Sequence, residues 1–266
     1  MRSVFRLMYI STVFFLFACN KVIELDLRDT EIKYVIEGVI TNEAGVCKVN
    51  VTETKNFNED NQFRQVSGAI VKVKDNGIET TLGEVQPGSY ETTVINGTPG
   101  HVYELSVSIK NQTFTAISKM PNPIVMDTLY VSPGPFGQYK FATIGYTDPA
   151  DINNGYRFVQ YVNGVKEPTI FPENDEFTDG QFVILQLDAS ADEKDDPRNI
   201  KTGDKVSIEM QCLDDPVYEF WYTLRSGGGD GDGNTAAPAN PITNIKGGAL
   251  GYFSAHTVTR QSVVAP

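Results

Sequence analysis

The sequence predicts a mainly β protein, with an N-terminal β-sandwich followed by a second β-rich domain that carries one short helix. Apolar and polar residues alternate along many short segments, which is the period of a strand with one buried face. Gly, Pro, Asn and Asp stand between these segments and mark turns. A helical period appears in one stretch, near 215–226. These three observations together predict the all-β class.

The N-terminal domain is predicted over residues 33–120, as strands joined by tight turns. Asp75-Asn76-Gly77 has the backbone freedom that a two-residue hairpin needs, and Pro87-Gly88 marks the next reversal. The clearest strand places Tyr103, Leu105 and neighbouring alternate residues on one face. The strands are predicted at 34–41, 46–53, 69–74, 78–85, 89–95 and 101–109.

A resemblance sharpens the type of sandwich that is expected. Residues 68–73, followed by 87–90, resemble the small immunoglobulin-like modules of surface proteins and of carboxypeptidase regulatory domains. The resemblance implies an immunoglobulin-like or carboxypeptidase-regulatory-like sandwich over 33–120.

A stiff connector, Met120-Pro121-Asn122-Pro123, predicts the domain boundary, because proline fits neither a helix interior nor a central strand. The second domain is predicted over 124–266, with a flexible Gly-rich loop at 227–244. Its strands are expected at 124–132, 139–147, 156–162, 181–187, 205–212 and 250–264.

The helix near 215–226 is predicted from its start signal and its apolar spacing. Asp215 is the expected N-cap, and Pro216 then occupies the first helical position. Val217, Phe220 and Trp221 recur at three- and four-residue steps. For Trp221, the only tryptophan in the chain, a core position is favoured over a ligand platform.

The first 18 residues have the order of a secretory signal: arginines, an apolar run, then small Ala18 before Cys19. The apolar run is about half of the roughly 20 residues that a membrane-spanning helix needs. Cys19 is therefore expected to be lipidated, and residues 19–32 to tether the body to the membrane. The alternative is an ordinary signal that is cut elsewhere.

The net charge bears on the class of partner, and the cysteines raise the question of a disulfide. Removal of residues 1–18 would take away Arg2 and Arg6 and no acid, so the net charge would go from −12 to −14. Such a charge disfavours nucleic acid as a partner. Cys47 and Cys212 both lie on apolar strand faces; two buried free thiols are favoured over a disulfide between the domains.

No catalytic, metal or cofactor motif is recognisable, so neither an enzymatic role nor a bound cofactor is expected. The two histidines, His101 and His256, stand beside no recognisable nucleophile motif. Asp230-Gly231-Asp232-Gly233-Asn234 begins like a calcium loop but lacks its later ligands. The acidic run 192–196 is interpreted as an exposed loop.

A weak candidate for a binding edge is Tyr252 with Phe253, next to the Gly-rich loop. The favoured alternative is that both aromatic side chains pack in the core.

The chain also resembles a family of Gram-negative lipoproteins labelled domain of unknown function 4249 (DUF4249). The resemblance is carried, in order, by Cys19 and by residues 24–27, 35–38, 68–71, 87–90, 100–105, 120–121, 127 and 247–253. It implies an outer-membrane lipoprotein, often encoded beside a TonB-dependent receptor, and it implies no catalytic residues.

The expected function is therefore a non-enzymatic accessory or binding component of the outer membrane that works with a TonB-dependent transporter. The ligand, the face of the membrane and the oligomeric state stay open. One alternative is a surface hydrolase of glycans or peptides that uses an unrecognised carboxylate pair. Another is a structural protein of the envelope.

Overall fold

Alternation of buried and exposed side chains organises the chain into seventeen strands and one helix in the computed structural model, which describes residues 31–56, 62–134, 139–189, 199–227 and 240–266. The strands are β1 (Tyr34–Thr41), β2 (Cys47–Glu53), β3 (Arg64–Gln65), β4 (Ile70–Asp75), β5 (Ile78–Thr81), β6 (Gly83–Gln86), β7 (Ser89–Glu91), β8 (Val102–Ile109), β9 (Gln112–Lys119), β10 (Met126–Pro133), β11 (Lys140–Thr147), β12 (Gly155–Val162), β13 (Val165–Lys166), β14 (Phe171–Asn174), β15 (Phe182–Leu187), β16 (Lys205–Leu213) and β17 (Leu250–Val264). The helix, α1, is Asp215–Gly227. The predicted all-β class is confirmed.

The largest sheet of the structure has ten strands. Its order is β13-β12-β16-β17-β1-β2-β7-β6, with β14 paired to β12 and β3 paired to β2. Two smaller sheets, β5-β4-β8-β9 and β10-β11-β15, complete the architecture.

Each smaller sheet encloses a separate hydrophobic core. The first core joins β4, β8 and β9 to β1, β2 and β17, and includes Ile36, Tyr103 and Phe253. The second joins β10, β11 and β15 to β12 and β16, and includes Tyr146 and Phe158. Before the connector, buried residues up to Met120 belong to the first core, and after it those from Ile124 to Cys212 belong to the second, while residues from 245–255 return to the first core. The connector Met120-Pro121-Asn122-Pro123 therefore lies between the N-terminal residues of the first core and the residues of the second.

Each smaller sheet and the part of the large sheet that it covers form a sandwich, the first around the first core and the second around the second core. The last strand, β17, belongs to both sandwiches. Its first half, from Leu250 to His256, pairs with β1 in parallel, and its second half, from Thr257 to Val264, pairs with β16 in antiparallel orientation. Residues 245–255 thus contribute to the first core, although sequence analysis assigned the whole of 124–266 to the second domain. The alternation along a strand tells which residues share a face, but it does not tell which strand becomes the neighbour.

Gly251 permits this close pairing. Its φ angle is 95°, and a Cβ atom built on it would lie 2.1 Å from the Ile36 carbonyl oxygen. A residue with a side chain would have to displace β1 from β17.

Several local predictions agree with the structure. The hairpin at Asp75-Asn76-Gly77 connects β4 to β5, with positive φ at Asn76 (42°) and Gly77 (95°). Cys47 and Cys212 are free and buried, each in a different core.

Two strand predictions differ from the structure. The predicted strand at 78–85 is divided in two, because β5 pairs with β4 while β6 pairs with β7. β9 was not predicted.

The helix begins one residue earlier than the predicted cap at Asp215 implies. The backbone carbonyl of Asp214 accepts hydrogen bonds from Val217 N (3.1 Å) and Tyr218 N (3.0 Å), so Asp214 is the N-cap and Pro216 the second helical residue. Proline fits there because the N–H groups of the first turn have no intrahelical acceptor. The Asp214 carboxylate accepts the Lys119 N–H at 2.8 Å, and burial raises the pKa of Asp214 to about 6.

Some predictions lie outside the described residues. These are the leader 1–18, Cys19, the tether up to residue 30, the acidic run 192–196 and most of the Gly-rich loop. Over the part of the chain that is described, no helix has the length and apolar character needed to cross a membrane.

Candidate functional site

The two aromatic residues of the predicted binding edge lie on opposite faces of β17. Phe253 is fully buried, at 0% exposure, in the first core. Tyr252 points to the other face, where it contacts Phe220 and Trp221 of α1, at ring-centroid distances of 4.7 and 5.0 Å. The edge as predicted does not form, since neighbouring residues of a strand face opposite ways.

Beneath α1, the face of the large sheet that carries Tyr252 contains a cavity of about 190 Å³, here called the β17 cleft. Strands β1, β12, β16 and β17 form its floor and α1 one wall. The lining includes Arg157, Glu209, Gln211, Trp221, Tyr252 and His256. Charged and aromatic side chains therefore converge on a cavity on the side of the sheet opposite to both cores.

Strand register explains why these side chains meet. Arg157 of β12 lies opposite Gln211 of β16, and Glu209 of β16 lies opposite Arg260 of β17. Glu209 and Gln211 are two residues apart, so they share a face. The intervening residue, Met210, points into the second core.

Arg157 is the cation at the centre of the β17 cleft. Its guanidinium carbon lies 3.6 Å from the centroid of the Trp221 ring, and its Nη1 donates to Gln211 Oε1 at 3.1 Å. Its Nε is buried and has no hydrogen-bond partner in the part of the chain that the structure describes. Among the described residues, Arg157 makes no ion pair with a carboxylate. Burial lowers the pKa of Arg157, which means that its charge is incompletely compensated.

Arg260, by contrast, holds two carboxylates. Its Nε and Nη2 donate to Glu209 Oε2 at 2.9 and 2.7 Å, and its Nη2 also donates to Glu43 Oε2 at 3.1 Å. The hydrogen bond to Glu43 is the main cause that raises the pKa of Arg260. Gln211 Nε2 donates to Glu209 Oε1 at 2.6 Å and links the two arginines. The acidic groups of the network are therefore engaged by Arg260, and Arg157 retains an unused donor.

Ser254 and His256 also lie on this face, with Ser254 Oγ 2.8 Å from His256 Nδ1. Both are buried, at 1% and 5% exposure. Burial, together with the nearby charges of Arg157 and Arg260, lowers the pKa of His256 to about 3. A general base works best with a pKa near the working pH, so this histidine is poorly suited to activate the serine.

Two broader depressions lie elsewhere. One, of about 590 Å³, covers the outer face of the β5-β4-β8-β9 sheet, where Lys72 pairs with Glu79 at 2.7 Å and Lys74 with Glu104 at 3.6 Å. The other, of about 630 Å³, lies over β1, β2 and β7 and includes exposed Phe63. We place the candidate site in the smaller β17 cleft, because it alone of the three contains a buried polar atom of a cation without a partner.

Four residues of the β17 cleft were not predicted from the sequence: Arg157, Glu209, Gln211 and Arg260. A usable signal was present, because each is a long polar or charged side chain within a strand whose alternate positions are apolar. His101, the other histidine, lies away from the β17 cleft, and its Nδ1 is 2.7 Å from Asp75 Oδ1.

Comparisons with known proteins give a family and a distant structural likeness. A family model described as "Domain of unknown function (DUF4249)" matches residues 20–262. No curated protein matches the chain. Among solved structures, the crystal structure of the chicken CNTN1 FN1-FN3 domains is similar with 13% identity and a TM-score of 0.26, covering 68% of this chain. The chain spans 61% of that structure's length.

Proposed function

We propose, for a chain that belongs to the DUF4249 family, a non-enzymatic role as an outer-membrane lipoprotein that acts as a binding or accessory component of a TonB-dependent transporter. The leader with Cys19 and the implications of the family resemblance support the location and the partner. The geometry of the β17 cleft supports the binding role, and the observation that carries it is the stacked, unpaired Arg157.

The chemistry of Arg157 favours an anionic group as the ligand. A guanidinium presents its N–H donors in a planar fork that matches a carboxylate. Because the Arg157 guanidinium lies over the Trp221 ring and is held by Gln211, its position is fixed before a ligand arrives. A carboxylate that reached Nε would satisfy a buried donor that otherwise has no partner.

The size of the β17 cleft limits what can enter. Cavities for whole small molecules usually measure about 300–1,000 Å³, and this one measures about 190 Å³. An acidic side chain or a terminal carboxylate of a protein partner fits this volume better than a complete nutrient molecule. The negative net charge of the chain does not oppose such contact at short range, because charges beyond about 8 Å are screened at physiological ionic strength.

The non-enzymatic part of the proposal is supported by the chemistry of the cleft. Its serine and histidine are buried, and the low pKa of His256 leaves it a weak proton acceptor. Arg157 is held by stacking on Trp221, and Arg260 is held by its ion pair with Glu209. This arrangement suits recognition of a fixed anionic group.

The experiment is a pull-down of the lipidated protein from solubilised outer membranes, followed by identification of the recovered β-barrel proteins. Wild type is expected to recover a TonB-dependent receptor, and Arg157→Gln to recover at least tenfold less of it. Arg225→Gln, which removes a cation exposed in the last turn of α1, is the matched control and should behave as wild type. Recovery of the lipoprotein alone by wild type would contradict the proposed partner.

The same preparations test the two alternatives. A surface hydrolase would release products from cell-surface glycans or peptides, and this activity would be lost when the responsible carboxylates are changed. A structural protein of the envelope would show neither activity nor dependence on Arg157. Equal recovery of the receptor by wild type and Arg157→Gln would show that binding of the transporter does not depend on the β17 cleft.

A further inference from the structure

Three carboxylates that are far apart in the sequence meet at one end of the second sandwich. Asp148 follows β11, whereas Asp175 and Asp179 follow β14. One carboxylate oxygen from each lies within 4.8 Å of the others. Asp148 and Asp175 are buried, at 1% and 8% exposure, and Asp179 is exposed.

One buried oxygen of this cluster is free to coordinate an ion. Within the described part of the chain, Asp148 Oδ2 is buried and has no hydrogen-bond partner, while Oδ1 of the same carboxylate accepts the Tyr156 hydroxyl. Among the described residues, none of the three carboxylates forms a salt bridge with a lysine or arginine. A buried carboxylate is normally paired, protonated or bound to a metal ion.

Backbone N–H groups fix two of the three carboxylates. Asn154 N donates to Asp175 Oδ2 at 2.8 Å, and Asp151 N donates to Asp179 Oδ1 at 2.9 Å. Asp175 and Asp179 are further joined by the hydrogen bond from Asp179 N to the Asp175 carbonyl, at 3.0 Å. Each of these two carboxylates has one oxygen fixed by an N–H group and a second oxygen available as a ligand.

We propose that Asp148, Asp175 and Asp179 bind a calcium ion. Oxygen ligands lie about 2.4 Å from Ca²⁺, so oxygens that share one ion can be at most about 4.8 Å apart, and the three carboxylate oxygens of this cluster lie within that limit. Calcium accepts six to eight oxygen ligands in flexible geometry, whereas magnesium demands a nearly ideal octahedron. Zinc sites generally include nitrogen or sulfur ligands, and this cluster offers oxygen alone.

The cluster lies outside the β17 cleft and uses none of its residues, so calcium binding here is independent of the proposed binding role. The ion would have a structural role, which is to join the loop after β11 to the turn after β14. The calcium loop considered in sequence analysis, at 230–234, lies outside the described residues.

The test measures the thermal midpoint of unfolding, Tm, and terbium luminescence of the full-length chain in detergent. Ca²⁺ at about a hundredfold excess over its Kd is expected to raise the Tm of the EDTA-treated wild type by about 5–10 °C. Tb³⁺ bound at the cluster should emit on tyrosine excitation, since Tyr156 contacts Asp148, and Ca²⁺ should displace it. Asp175→Asn and Asp179→Asn should abolish both responses.

Controls keep the result interpretable. Asp179 is exposed, so Asp179→Asn is expected to fold even if changes at buried Asp148 or Asp175 do not. Glu104→Gln, an exposed acid on β8 of the first sandwich, should retain the full response to calcium. No rise in wild-type Tm together with no terbium emission would overturn the proposal. A response that persists in Asp179→Asn and Asp175→Asn, or stabilisation by Mg²⁺ alone, would overturn it equally.

Discussion

Replacement of His256 by Asn should remove a large part of the acid sensitivity of the fold. Asn keeps a polar group near the position of Nδ1, which lies 2.8 Å from Ser254 Oγ, but it cannot be protonated in this range. In the folded chain burial lowers the pKa of His256 to about 3, from about 6.5 when unfolded. The unfolded chain therefore binds a proton below pH 6.5 that the folded chain does not bind.

The size of the effect follows from linkage between protonation and folding. A folded-state pKa below the unfolded value gives full stability above pH 6.5, with progressive loss as the pH falls towards 3. Between pH 7 and pH 5 the His256 contribution to the free energy of unfolding should fall by about 2 kcal/mol. The Asn variant loses this term, so the stability difference between wild type and variant should narrow by that amount at pH 5.

The assay is urea-induced unfolding at pH 7, 6 and 5, followed by the fluorescence of Trp221, the only tryptophan. His101→Asn serves as the control, because it retains His256 and should keep the pH dependence that His256 causes. A difference between wild type and His256→Asn that stays constant from pH 7 to pH 5 would refute the buried, uncharged state of this histidine.

Two further substitutions test the fold. Burial raises the pKa of Asp214 to about 6, so wild type should lose about 2 kcal/mol of stability as the pH rises from 4 to 6, while Asp214→Asn should not. Denaturant titrations across that range measure the loss, and parallel pH profiles of wild type and variant would contradict it. Gly251→Ala should destabilise by about 3 kcal/mol or more, since its Cβ would clash with the Ile36 carbonyl, whereas Gly248→Ala, also at positive φ but with open space around it, should cost only about 1 kcal/mol. Equal losses of Tm for the two alanine variants would show that the β1–β17 contact is not tight.

Much of the fold could be predicted because strand alternation is local. The strand with Tyr103 and Leu105 on one face appears in the structure as β8 with these residues buried. β9 escaped prediction, since its buried face contains Phe114, small Ala116 and polar Ser118, a weak apolar signal. Local periodicity cannot specify pairing partners, and for this reason the division of β17 between two sandwiches was not foreseen.

The candidate site was harder to predict than the fold. Its residues come from separate strands and from α1, and only the sheet order brings them together. Trp221, for which a core position was favoured, instead stacks against Arg157 at the edge of a polar cavity. The helical period identified its apolar stripe correctly, but it could not show that the opposing surface contains an arginine. The meeting of Asp148 with Asp175 was hidden for the same reason.

The central claim, that Arg157 in the β17 cleft receives an anionic group, is tested most directly by titration of Trp221 fluorescence with N-acetyl-L-glutamic acid α-amide, which carries one carboxylate, and, for comparison, with N-acetyl-L-glutaminamide, which carries none. The carboxylate should change the emission saturably in wild type and in Arg225→Gln. A charge-assisted hydrogen bond contributes about 1.5–3 kcal/mol, so affinity should fall about 10- to 150-fold in Arg157→Gln and for the neutral amide. Equal responses to acid and amide, or equal affinities of wild type and Arg157→Gln, would contradict the claim.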